Sequence, residues 1–229
     1  FLLKMKNNLT IYSNIIPIEI LKNNFLSFPQ NLPKYYKNIP RLFNRSETST
    51  TIKTCPGFVN YFRKVLVFTS PFDMEFLISN NKLEQWAMGN GDFNNLMSVT
   101  THSNSQLLDY VQNDNYQFVI KICMFNYIQS DAPLYFHNAS WEFKNWECLP
   151  GVIHPKDIPT DLNMFLPVRK ETDKIVIKKD EPLFYMSFET QDDIELHFSN
   201  KKFDLTSHTN TLSYKFSILK DRILGKKIV

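Results

Sequence analysis

Five histidines, a scatter of carboxylates and one cysteine beside a proline are the residues of this 229-residue chain whose types could do chemistry. His102 opens the polar cluster His102-Ser103-Asn104-Ser105-Gln106 at an expected strand end. His137 lies in the run 132–146, ahead of Trp141 and Trp146, whose rings could stack on a ligand. His154 and Asp157 share the proline-punctuated stretch 149–167. His102, Gln106, His137, Trp141, His154 and Asp157 are therefore the candidate binding set, with no catalytic role assigned to any of them. A jelly-roll oxygenase would place His-x-Asp on a strand with a distant second His, to leave open positions on a metal. Here the order is His154-Pro155-Lys156-Asp157, so that test fails and no metal site is expected. His197 and His208 complete the five, and the spacing does not force them together.

Other reactive types have plainer readings. Cys55 precedes Pro56-Gly57 and could be a nucleophile with its pKa lowered at a helix start; a packed thiol under a turn is the reading adopted. Asp73 and Glu75 point the same way along a strand and could hold a metal or exchange protons, but nothing nearby completes a site, so they read as solvated. The chain lacks GxGxxG and Walker-type loops, a Gly-x-Ser-x-Gly elbow, His-Glu-x-x-His and any Cys-x-x-Cys. No cofactor is assigned.

Composition sets the frame that must position these residues. Twenty Phe and ten Tyr against five Gly argue for a sheet-rich interior rather than a doubly wound nucleotide-binding fold. The net charge of +3 comes from well-mixed charges, so no nucleic-acid patch stands out. Cys55, Cys123 and Cys148 form an odd, widely spaced set, as expected of a reducing compartment such as a cytoplasm. Pro17 and Glu19 interrupt the N-terminal apolar stretch, so no membrane span is expected. A chain that opens on Phe1 is expected to be a fragment or to have lost its initiator.

Along the chain, Leu9 to Ile20 predicts a first strand broken by Pro17, tolerated if the strand is an edge. Residues 28–51 begin with FPQNLPKYYKNIPRLF, whose prolines predict an extended arm. That Pro/Tyr-rich arm is the candidate surface for a protein partner, although a connecting segment pinned by its aromatics is the plainer reading. Residues 52–68 predict a short helix feeding a strand. Phe72 to Ile78 and Leu83 to Met88 predict a hairpin turned at Asn80-Asn81. Leu96 to Thr101 is a further strand, and YQFVIKICMFNY, 116–127, is the best candidate for a central one. Lys174 to Thr190 predicts a core hairpin hinged on Asp180-Glu181-Pro182. Ile194 to Phe198 predicts a short strand, and Leu212, Phe216, Leu219 and Ile223 lie on one face of a helix over 211–225.

Laid in order, YYKNIPRLF, TIKTCPGFVNYFRKVLVFTSPFDMEF, FVIKICMFNYIQSDAPLYFHNASWEF and LPGVIHPKDIPTDLNMFLPVRK with IVIKKDEPLFYM resemble an uncharacterised family of tailed-phage and marine bacterial proteins, carried as a domain of unknown function. The resemblance covers roughly 30 to 190. It departs at Phe72-Asp73, where the family has a Cys-Asp or similar pair, at His154 in place of an Asp, and at Glu181 near the place of a turn Gly. It implies a phage-encoded protein of the host cytoplasm or virion, and no reaction. The last piece is also faintly similar to dUTPase-type β-barrels, which implies a distorted jelly roll, but His154 removes the acid that would activate water.

The expected molecule is thus mainly β: one domain over 1–229, a β-sandwich or distorted jelly roll with an extended N-terminal arm and a few short helices. Its expected function is non-enzymatic binding, with a jelly-roll small-molecule enzyme, metal-dependent or nucleotide-directed, as the alternative.

Overall fold

The computed structural model describes residues 6–13, 16–41, 51–89, 97–103, 115–155, 160–188 and 193–201. The elements run β1 (Lys6–Ser13), α1 (Ile18–Lys22), β2 (Phe25–Leu26), α2 (Pro56–Lys64), β3 (Leu66–Thr69), β4 (Met74–Ser79), β5 (Lys82–Met88), β6 (Ser98–Ser103) and β7 (Tyr116–Ser130). Then follow β8 (Leu134–Asn138), β9 (Gly151–Ile153), β10 (Thr160–Arg169), β11 (Lys174–Ile177), β12 (Pro182–Phe188) and β13 (Asp193–Ser199). They make three sheets: β10-β7-β1-β13 with β6 also on β7, β11-β4-β5, and β2-β3-β12-β8-β9. The architecture is mainly β, as a sandwich.

Burial explains the arrangement. Along β7, Phe118, Ile120, Ile122, Met124 and Ile128 are buried on one face and meet Leu66, Phe68, Phe184 and Met186 of the β12 sheet in a common core. Met74, Phe76, Ile175 and Ile177 bring the third sheet into that core. Leu183 to Met186 are buried on both faces, because α2 covers the back of the β12 sheet. There Phe58 and Phe62 pack with Val67 and Tyr185. The apolar run that marked β7 as central is thus a strand paired on both sides, with β10 along one edge and β1 and β6 along the other.

Lys174 to Thr190 is not a hairpin. β11 pairs with β4, whereas β12 pairs with β3 and β8 in another sheet. The segments 66–79 and 174–188 instead form one antiparallel ribbon that turns a corner between two sheets. The corner is tied by polar groups: Ser70 N donates to Glu181 O and Asp180 N to Ser70 O, both at 2.8 Å. Asp73 Oδ1 accepts from Lys179 N at 2.7 Å, and Glu181 Oε2 accepts from Lys178 N at 2.8 Å. Asp180 sits at φ 62°, in the left-handed region that an Asp tolerates better than most residues. Alternation shows that a run is a strand, but not which strand it joins. The acidic pair resolves the same way: Asp73 ties the corner and Glu75 meets Lys174 at 2.9 Å.

Two other expectations are revised at their prolines. β1 stops at Ser13 and lies inside its sheet, between β7 and β13, not at an edge. Pro17 then starts α1, where its missing N–H costs nothing. Conversely, β10 runs through Pro167, which the sheet's edge tolerates. The helix over 211–225 lies outside the described residues.

The segment 28–41 carries turns and a short 3-10 helix at 34–38. Asn31 Nδ2 donates to Phe62 O and Val65 O, at 2.7 and 2.6 Å, satisfying carbonyls at the end of α2. Tyr36 stacks on Phe58 with ring centroids 5.2 Å apart. The described part of the arm is pinned by its aromatics.

One buried site makes a stability prediction. Asn126 is fully buried on the core face of β7, opposite Ser13 of β1, and neither its amide atoms nor Ser13 Oγ has a hydrogen-bond partner. Asn126→Leu should therefore raise the unfolding free energy by about 1–3 kcal/mol, the cost of an unsatisfied buried polar group. Urea unfolding checks this; an equal loss would mean that the amide holds internal water.

Candidate functional site

The sequence-selected residues do not share one site. His102 lies on β6, opposite Val119, with its ring 6.0 Å from that of Phe165. His137 lies on β8 in a different sheet, where its Nε2 is 2.8 Å from Ser187 Oγ and burial lowers its pKa. Trp141 packs edge-on against Phe58 at 4.9 Å, as a wall of the α2 core. His154 is exposed just beyond β9, while Gln106 and Asp157 lie outside the described residues. Cys55 is exposed at the start of α2. Among the described residues no group of three or more His, Cys, Asp or Glu is placed to hold a metal ion, and no helix is long and apolar enough to cross a membrane.

A different group converges where β8 leaves its sheet. Its connection to β9 opens with a 3-10 turn, Ser140–Glu142, and Phe143 then enters the left-handed region at φ 51°. For a non-Gly residue that conformation is costly, and here it throws the Phe143 ring outward, 76% exposed. Asn138 Oδ1 accepts from Cys148 N at 3.2 Å, closing the base of the loop. Trp146 is buried against the core, and Cys148, also buried, has its thiol pushed up to about 11. The loop is thereby anchored at both ends of Phe143-Lys144-Asn145.

Lys144 is the unusual member. Its Nζ lies 3.9 Å from the centroid of the Trp146 ring, and it is buried with no hydrogen-bond partner. A cation on an indole face gains from the ring quadrupole, on the order of 0.5–2 kcal/mol, but the ring offers no lone pair to an ammonium. Burial accordingly lowers the Lys144 pKa from 10.5 to about 8, against the upward pull of Glu181, Glu142 and Cys148. Burial also raises the Glu142 carboxyl, which Lys144 and Lys34 pull back down.

Two phenols extend this polar group. Tyr35 carries a buried hydroxyl without a hydrogen-bond partner, and the buried Tyr185 hydroxyl is met by the backbone of Trp141. Burial first, and the Glu142 charge second, raise both phenol pKa values. Glu142 thus acts electrostatically on Lys144, Tyr35 and Tyr185 alike. Four polar side chains from three parts of the chain are coupled in this way, two of them, Lys144 and Tyr35, lacking a hydrogen-bond partner.

The loop and the end of β10 enclose a half-open cavity of about 330 Å³, at the lower end of what small-molecule sites need. Lys144, Phe143, Trp146 and Glu147 line it from the loop, Asn138 from the end of β8 and Arg169 from the end of β10. Arg169 Nη2 is 3.6 Å from Glu147 Oε1, and Glu147 also accepts from Tyr116 Oη at 2.9 Å. The charged lining is two cations against one carboxylate. An aromatic wall, amide groups and a net positive charge suit a small planar anion, with Arg169 offering a fork of donors and Lys144 a point charge.

Of this site the sequence points to Trp146 alone as a ligand-stacking candidate. The local signal for the rest is Trp141-Glu142-Phe143-Lys144-Asn145-Trp146: a lysine in so aromatic a stretch must lie along rings rather than in water. Comparison with protein-family models, curated proteins and solved structures finds no match to this chain.

Proposed function

We propose that this is a non-enzymatic binding protein whose β-sandwich presents a cavity for a small carboxylate between Lys144 and Arg169. The observation that carries the reading is the Lys144 ammonium, buried on the Trp146 face without a hydrogen-bond acceptor, on a residue that also lines a cavity. Leaving a buried charged donor unpaired costs free energy, so a residue kept in that state points to a ligand that completes it. A carboxylate fits: it accepts from both cations, and a planar anion lies against Phe143 and Trp146.

The Pro/Tyr-rich segment is a weaker candidate for a partner surface, because Tyr36 and Asn31 make their contacts within the chain. The histidine-based enzyme reading has no site among the described residues, since His102 and His137 stand in different sheets. The resemblance over 30–190 supports an accessory role for a phage-encoded protein. The test is a calorimetric titration with lactate at pH 7 and low salt, followed in parallel by tryptophan fluorescence. A saturable 1:1 isotherm with a matching fluorescence change is expected; a flat titration by both readouts contradicts the proposal.

A further inference from the structure

We infer that Lys144 is a nucleophilic lysine that captures the carbonyl group of a small oxo acid as an imine while Arg169 holds the acid's carboxylate. The inference rests on the carboxylate-binding reading above and adds a covalent step to it.

The argument starts from what Lys144 lacks. A lysine kept for its charge is held by acceptors, whereas the Lys144 Nζ faces an indole ring and makes no hydrogen bond. The charged and titratable groups around it are Glu142 and Cys148 of its own loop and Glu181 from the corner between β11 and β12, all favouring the ammonium. Burial outweighs them, so a substantial neutral fraction exists near pH 8. Neutral amine is the nucleophile, and lysines desolvated in apolar surroundings are activated in this way.

The cavity supplies the rest. The flexible four-carbon stem lets Nζ swing from the ring face into the space that Lys144 itself lines. Arg169, which lines the same cavity, orients a carboxylate, which selects an oxo acid over a neutral aldehyde. Nζ adds to the carbonyl carbon to give a carbinolamine. The two amine hydrogens then leave with the carbonyl oxygen as water, giving the C=N bond with no oxidant or reductant. Solvent in the half-open cavity lends the departing hydroxyl its proton and takes up the one released from nitrogen. The product is reversible, so the step is capture and release rather than turnover.

The experiment incubates the full chain at pH 8 with pyruvate or levulinate, which differ in the spacing of carbonyl and carboxylate, and reduces it with cyanoborohydride. Peptide mass mapping then locates adducts, while calorimetry with lactate, which has no carbonyl, reports non-covalent binding. The expected result is one reduced adduct per chain at Lys144 with at least one oxo acid, at least tenfold above any other lysine. Lactate should bind but give no adduct, and Lys144→Arg should lose the adduct. Lactate binding with adducts absent, or spread evenly over surface lysines, overturns the imine and leaves the carboxylate site standing. No binding of any acid overturns both. The wild-type peptide map decides the question even if Lys144→Arg folds poorly.

Discussion

Lys144→Met is expected to make the protein more stable and unable to bind its ligand. The stem keeps its packing along Trp146, while the buried, unpartnered ammonium is removed. Replacing a buried charge by an apolar group of similar volume is commonly stabilising, here by about 1–3 kcal/mol at pH 7. Lactate binding should weaken roughly tenfold or more, the value of one lost charge-assisted contact. The pH dependence follows from the direction of the shift. The folded pKa, about 8, lies below the unfolded 10.5, so between them the unfolded chain binds the extra proton and stability rises with pH. Above about pH 10 the raised phenols of Tyr35 and Tyr185 oppose this, because their unfolded forms release protons first. A rise in stability from pH 8 to 10 is therefore expected in the wild type and absent in Lys144→Met. Denaturant titrations across that window check it, and identical slopes in the two proteins would contradict it.

Phe184→Ala should have the largest effect on the fold. Phe184 is 1% exposed on β12, the strand that joins the sandwich core to the helix-covered layer. Its ring lies 5.3 Å from those of Phe68 on β3 and Phe136 on β8. Truncation removes the contact that ties both neighbouring strands to one side chain, and a buried Phe→Ala change costs about 3–5 kcal/mol. A small domain holds only about 5–15 kcal/mol in total, so the variant should lose a large part of its cooperativity margin. Thermal unfolding by circular dichroism should show a midpoint many degrees lower. A change under about 1 kcal/mol would mean that β12 does not occupy the centre of its sheet.

Local signals made much of this fold legible. Tyr116 to Tyr127 was readable as a central strand because it is the most apolar run of the chain and contains no Gly or Pro. Pro56-Gly57 followed by Phe58 and Phe62 marked α2. Asn80-Asn81 marked the β4–β5 turn, where both residues adopt positive φ, at 50° and 60°. Partner choice was not legible, because β11 and β12 alternate as two arms of a hairpin would, while the corner at Asp73, Ser70 and Glu181 is made by contacts about a hundred residues apart. β10 was hidden by its prolines, since an edge position that excuses Pro167 is a tertiary fact.

The site was hidden for a similar reason. Histidines at strand ends attract attention as titratable groups, yet His102 and His137 fall in separate sheets. Lys144 draws none, because an isolated lysine usually faces water. Its state follows from Phe143 turning through a left-handed conformation, Asn138 closing the loop on Cys148, and β10 bringing Arg169 to the same cavity, none of which a linear pattern contains. The aromatic residues on either side were the one local clue.

The measurement closest to the central claim is NMR of the protein labelled at lysine 13Cε, with Lys144→Arg to assign the resonance and a titration from pH 6 to 11. The Lys144 signal should titrate near pH 8, more than a unit below the exposed lysines, and saturating lactate should move that midpoint upward as a carboxylate pairs with the ammonium. A Lys144 midpoint among the exposed lysines, unmoved by lactate, would contradict both the buried ammonium and the cavity's role.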